Sequence, residues 1–186
     1  MNASMQPRGA AAPHKADKAV QSGDEAAQYL TFVLAGEIFA IGILSIKEII
    51  EYHALTEVPM MPSSVRGVIN LRGAVVPVID LRARFGQGAS RPTKRSCIVI
   101  VEVESGDEHQ VIGVMVDAVN EVLDIATEDI EPPPNFGARI RSDFIHGMGK
   151  VKGKFVILLD VNHVLSVDEL GGLALAASDI QAESAH

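Results

Sequence analysis

The stretch Val65-Arg66-Gly67-Val68-Ile69-Asn70-Leu71-Arg72-Gly73-Ala74-Val75-Val76-Pro77-Val78-Ile79-Asp80-Leu81 reads as apolar strand, glycine turn, apolar strand and aspartate. The same plan returns 80 positions later. Gly67 is echoed by Gly147, Arg72 by Lys152, Gly73 by Gly153, Asp80 by Asp160 and Leu81 by Val161. Upstream, Ile46-Lys47-Glu48-Ile49 is answered by Val119-Asn120-Glu121-Val122, at a shift of 73. A strand plan used twice implies two similar β modules side by side, with a cleft between them where a partner would bind.

Working outward, residues 29–34 alternate as a strand, turn at Gly36-Glu37 and continue as 38–43. Ser45 and Glu48 have the spacing of a capping box, which opens a helical turn. The β-branched pair Ile49-Ile50 equally suits a kinked strand running on to residue 52. Pro62 to Arg66 reads as a short helix ended by Gly67. Strands 68–72 and 75–79 follow, with a turn at Gly73-Ala74. Asp80 suits a helix cap, with Leu81 and Phe85 stacked one turn apart. Pro77 has no amide proton, which places its strand at an edge or a bulge. The polar segment 86–95 is the joint between halves. The second half repeats five strand patterns: 96–103, 110–116, 119–125, 144–151 and 154–159. Glu131-Pro132-Pro133-Pro134-Asn135-Phe136 is a stiff insertion that accounts for the two different shifts. The expected class is all-β with short helices: two five-stranded barrels over 28–86 and 95–166, packed side by side with a hydrophobic groove between them. Residues 1–27, rich in Ala, Gly, Pro and charge, read as a disordered leader, and 167–186 as a C-terminal helix or tail. Within that end, Ser166 to Glu169 forms another capping box, interrupted by Gly171-Gly172.

Composition narrows the function classes. The hydrophobic fraction is 47% but the aromatic fraction only 4%, so Val, Ile and Leu must fill the core. A formal net charge of −8 repels phosphate, which argues against nucleic acid and anionic membrane as partners. One cysteine, Cys97, allows neither an internal disulfide nor a thiolate cluster. No apolar run has signal-peptide or membrane-spanning length, and the chain reads as cytosolic.

Catalytic patterns are missing. His14, His53, His109, His146, His163 and His186 lie in no metal-ligand spacing, no phosphate-binding glycine motif is present, and no cofactor is expected. Asp80 and Asp160 hold matching places, which raises a shared-proton hydrolase as an alternative. The residues that follow them, Leu81-Arg82 and Val161-Asn162, lack the hydroxyl and glycine that chemistry needs; helix capping is the preferred reading. An oligonucleotide-binding barrel is the other alternative, disfavoured by the acidity and the scarcity of aromatic platforms. Strand alternation puts Val68, Asn70 and Arg72 on one face, so Arg72 is either solvated or a donor fork on a binding face.

These residues resemble the CheW family of bacterial chemotaxis coupling proteins. The likeness rests on Arg66 to Gly73, Val76-Pro77-Val78-Ile79-Asp80-Leu81, Ile46-Lys47-Glu48-Ile49, Gly113-Val114-Met115-Val116-Asp117 with Val119, and Ile157-Leu158-Leu159-Asp160. It covers residues 28–165. It implies two intertwined SH3-like barrels without enzymatic activity. It also implies a cytoplasmic adaptor that links the histidine kinase CheA, through its regulatory domain, to chemoreceptor tips in membrane-associated arrays. By motif position, Ile46, Glu48, Gly67, Arg72, Cys97 and Val119 would be receptor-binding residues at the groove. Phe136 and Glu131 would fall at a kinase or ring contact, where an acidic Glu131 replaces a charge that relatives can carry as basic.

Overall fold

The computed structural model describes residues 26–133 and 140–166. Eleven strands are formed there: β1 (Ala26–Leu34), β2 (Glu37–Gly42), β3 (Ile46–Glu51), β4 (Val65–Leu71), β5 (Ala74–Asp80), β6 (Cys97–Ser105), β7 (Glu108–Val116), β8 (Ala118–Ala126), β9 (Ile130–Glu131), β10 (Ile145–Val151) and β11 (Lys154–Leu159). Two one-turn helices, α1 (Leu81–Arg84) and α2 (Val161–Val164), follow β5 and β11.

The strands form two sheets in the orders β8-β1-β2-β11-β10-β9 and β3-β6-β7-β5-β4. Strand for strand, the orders correspond: a hairpin (β1-β2 or β6-β7) in the middle, an antiparallel neighbour on one side, and a parallel strand joining on the other. Ile157 pairs with Phe39 in the first parallel ladder, and Ile79 with Val114 in the second. Each curls into an SH3-like barrel. In the second sheet Ile50 of β3 packs in one cluster with Ile69 and Leu71 of β4, although these strands end the sheet order. In the first, a Cβ on Gly149 of β10 would lie 3.1 Å from Ile125 of β8.

The barrels exchange strands. β3 leaves the β1-β2 hairpin to pair with β6, and β8 leaves the β6-β7 hairpin to pair with β1. The boundaries 28–86 and 95–166 therefore do not separate the sheets, each of which draws strands from both halves of the chain.

Intertwining explains why the strands read as nearly continuous apolar runs: both faces are buried. On β6, Ile98 and Ile100 fill their own barrel, while Val99, Val101 and Val103 face the other. On β1, Tyr29 points into its own barrel, and Leu30, Phe32 and Leu34 meet the shared layer. That shared layer is the largest cluster. It is completed by Phe39, Ile79, Ile112, Val114 and Phe144, and each fully buried side chain contributes about 2 kcal/mol. Arg84 and Arg141 stack on Phe144 at 4.6 and 4.5 Å, and Arg84 Nε donates to the Val164 carbonyl at 2.8 Å, tying α1 to α2.

Several local expectations change. Ser45 ends a 3-10 turn (Ile43–Ser45) with no side-chain cap, and Ile46 begins β3, so the capping-box reading falls and the strand reading stands. No helix spans Pro62 to Arg66. Val65 N donates to Pro62 O in a turn and β4 begins at once, with Gly67 buried inside it. Two turns, Ala35-Gly36 and Arg72-Gly73, sit one residue earlier than expected, while Lys152-Gly153 falls between its expected strands. Ala35-Gly36, Arg72-Gly73 and Lys152-Gly153 all have two positive φ angles, near 52° and then 82°, 88° and 79°. That is the two-residue turn whose twist matches a hairpin, and it wants glycine second. Pro77 lies in an internal strand. Its partner Val68 directs both backbone groups to Thr56, and the ladder with β7 begins only at Val78, so no neighbour calls for the missing N–H. The two-residue β9 was not anticipated, and β1 starts at Ala26, inside the expected leader. The rest of that leader, Phe136 and residues 167–186 lie outside the described residues.

Candidate functional site

Two groups of the expected residues come together. The first is polar. Arg72 stands on the β4-β5 turn, held at φ 52° beside Gly73, and Gly73 N donates to the Asn70 side chain at 2.9 Å. Its guanidinium reaches across the barrel mouth to β3, donating from Nη1 to Glu48 Oε2 at 2.5 Å and from Nη2 to Glu48 Oε1 at 2.9 Å. This parallel fork is the strong geometry for a guanidinium and a carboxylate. The hydrogen bond from Arg72 holds the Glu48 carboxyl below its usual range, and the carboxylate raises Arg72 in turn. The Arg72 side chain is still 73% exposed against 28% for Glu48, so the fork is presented to solvent rather than sealed. Arg72 is therefore a turn residue, not the end of a strand face, and Val68, expected beside it, is buried at 7%.

The second group is apolar. Ile46, Cys97 and Val119 are half-buried and pack against the shared layer from its rim. Ile46 and Val119 hold equivalent places, since Ile46 pairs with Val101 and Val119 with Phe32, each beside a register shift. The Cys97 thiol lies within hydrogen-bonding reach of the Val119 backbone and of the Arg95 carbonyl at 3.5 Å. Burial pushes this thiol up from its ordinary value, and Glu51 pushes the same way, so it stays protonated and weakly nucleophilic. The crevice between barrels is thus the rim of a filled core. A cavity of about 430 Å³ opens elsewhere, beside Gln28, Tyr29, Ile43, Leu44 and Thr127, and touches none of the expected contact residues.

Gly67 is buried inside β4 and presents no side chain to this rim. A Cβ there would meet the Thr56 carbonyl oxygen at 2.6 Å, because the chain at Thr56 bridges to Val68. Glu131 is exposed on β9, paired with Met148.

Sequence reasoning missed three residues. Ile49 is 42% exposed on the β3 face that carries Glu51 beside Cys97, adding apolar surface to the rim. The adjacent Ile49 and Ile50 were the available signal, because neighbours on a strand face opposite ways. Arg66 and Ser90 were also missed. Both bond Asp80, which is 1% exposed and accepts from Arg82 N, Ala83 N, Ser90 N, Ser90 Oγ and Arg66 Nη1. Asp160 caps α2 through Asn162 N and His163 N. Each aspartate thus serves its own helix, which leaves neither arranged for proton sharing. Among the described residues, no three His, Cys, Asp or Glu side chains are placed to hold a metal ion, and no helix is long and apolar enough to cross a membrane.

Residues 28–169 match the family model of the CheW-like domain. The chain is 33% identical over 142 residues to the chemotaxis protein CheW of Rhizobium meliloti (strain 1021), a match spanning 76% of this chain and 89% of that one. It is 33% identical over 148 residues to the CheW of Helicobacter pylori (strain ATCC 700392 / 26695), spanning 80% and 87%. The crystal structure of the scaffolding protein TtCheW from Thermoanaerobacter tengcongensis superposes with a TM-score of 0.69 at 35% identity, covering 79% of this chain and 90% of that one. With the family model matched over residues 28–169 and relatives at 33% identity covered over most of their length, this chain belongs to the CheW-like domain family.

Proposed function

We propose that this chain is a non-catalytic scaffold of bacterial chemotaxis, coupling chemoreceptors to the histidine kinase CheA. The observation that carries it is the pairing of a half-buried apolar rim (Ile46, Cys97, Val119) with an exposed, pre-formed Arg72–Glu48 fork. Such a surface suits a receptor's helical hairpin: the rim supplies apolar burial, and the fork sets orientation by charged hydrogen bonds. Family membership and the likeness to the scaffolding protein TtCheW support the same reading. The kinase's regulatory domain engages the ring contact at Glu131, which is exposed on β9. The scaffold works in the cytoplasm, at the receptor arrays.

The test is a reconstituted assay with purified kinase and a receptor signalling fragment. Arg72→Glu places like charges at the mouth of the barrel and should cut receptor-coupled kinase activation about tenfold. The far-UV spectrum and melting point should stay near wild type, because the side chain is largely exposed. Normal coupling by a folded Arg72→Glu protein would remove the site from this surface.

A further inference from the structure

The β10-β11 hairpin carries a second, chemically distinct surface. Three of the chain's seven lysines, Lys150, Lys152 and Lys154, fall within five residues at its tip, in a chain whose formal net charge is −8. All three are exposed. No acid occurs in sequence between Asp143 and Asp160. Asp129 and Glu131 lie on or beside the neighbouring strand, yet no ion pair or hydrogen bond engages any of the three ammonium groups among the described residues. Next to them Phe155 is 51% exposed, one of the few large apolar side chains left in solvent. It pairs across the hairpin with Lys150, on the face that continues through Ile157 to buried Leu159.

The equivalent hairpin of the other sheet shows what an internal partner would look like. Arg72, the counterpart of Lys152, is forked by Glu48. Glu121 is the counterpart of Glu48 and is present, exposed on β8. It leaves Lys152 alone, and its backbone instead bonds Thr31 Oγ1. The chain thus supplies the acid and does not use it.

We propose that the Lys150–Lys152–Lys154 tip with Phe155 is a docking surface for an acidic polypeptide segment of a partner protein, one that sets an apolar side chain on Phe155 between flanking carboxylates. Local charge complementarity selects an acidic partner, and the exposed ring supplies an anchor that a purely electrostatic contact lacks. A protein segment fits better than an anionic bilayer, because a flat lipid surface would also meet the acidic remainder of the molecule. The surface lies on the other sheet from Arg72, and its reading does not depend on the receptor site.

Fluorescence anisotropy of the full chain with a labelled ten-residue peptide of Glu-Glu-Leu repeats tests this. The wild type should bind it, with affinity falling steeply as salt rises. The triple variant Lys150→Glu/Lys152→Glu/Lys154→Glu should weaken binding about tenfold or more, and Phe155→Ala about threefold. A matched variant, Lys47→Glu/Lys94→Glu/Arg95→Glu, carries the same net charge and should bind like wild type. A wild type that does not bind the peptide overturns the proposal, as do equal losses in the two triple variants. Phosphatidylserine vesicles serve as the rival probe: binding to vesicles that the hairpin triple variant alone abolishes, without peptide binding, assigns the patch to membrane and overturns it too.

Discussion

The two sheets share a skeleton and differ in how side chains fasten it. Both have a glycine at a register shift (Gly67, Gly147), a positive-φ turn ending in glycine (Arg72-Gly73, Lys152-Gly153) and an aspartate capping one turn of helix (Asp80, Asp160). In the sheet of β3 to β7 these devices are tied to distant parts of the chain. Asp80 binds Arg66 and Ser90, and Arg72 binds Glu48. In the other sheet, among the described residues, they stay local: Asp160 adds only His163, three residues on, and Lys152 has no ion pair. What both sheets keep is what the backbone requires. What only one keeps is an addition to the shared plan, and one of those additions, the Arg72–Glu48 fork, belongs to the proposed receptor surface.

The aspartates offer the largest test of this contrast. Asp80→Ala leaves the half-buried Arg66 without its carboxylate and two Ser90 donors unpaired, at a cost of about 4 kcal/mol. Asp160→Ala removes a partly exposed cap and costs about 1 kcal/mol. Urea titrations of the two variants should differ accordingly; equal losses would show that the Asp80 network adds nothing beyond capping. The glycines come next. Gly67→Ala drives a methyl against the Thr56 carbonyl oxygen at 2.6 Å, where backbone must move, and should cost on the order of 3 kcal/mol. Gly147→Ala meets the Ile130 Cγ2 methyl at 2.5 Å and the Glu131 carbonyl oxygen at 3.1 Å, but both belong to the two-residue edge strand β9, which can shift as a unit, so about 2 kcal/mol is expected. Thermal melts that rank them the other way would mean that the bridge at Thr56 is the softer of the two.

How much of this was legible in the sequence depends on how local the cause was. Asp80 as a cap, with Leu81 and Phe85 buried behind it, follows from three neighbouring residues, and it is found. The strand count nearly follows from period-two patterning and the glycine turns. Gly67 misleads because its requirement comes from Thr56, a chain segment eleven positions away whose approach no local pattern announces. Strand exchange was expected only through the resemblance, for the same reason: nothing within β3 says whether it pairs with β2 or β6. At the candidate site, the resemblance marked Arg72 and Glu48, but alternation alone left Arg72 either solvated or functional, because its partner sits 24 residues away. Ser90 was hidden in a segment that reads as polar linker, although it is 3% exposed.

The smallest expected effect is the acid response of the fork. The Glu48 carboxyl is held below its ordinary 4.5 by the Arg72 hydrogen bond. A carboxyl depressed in the folded state stabilises fully above its unfolded pKa, and that contribution disappears as pH falls through the folded value. The pair is exposed, so its share of stability is small and screened by salt. Carbon-13 NMR of the Glu48 carboxyl therefore reads it better than melting does. In Arg72→Gln the titration midpoint should rise towards the ordinary value. In Lys152→Gln it should not move, since that tip belongs to the other sheet. A Glu48 midpoint indifferent to Arg72 would mean that the fork does not persist in solution, and the sheet that now looks fastened would then be no more tied at its turn than its twin.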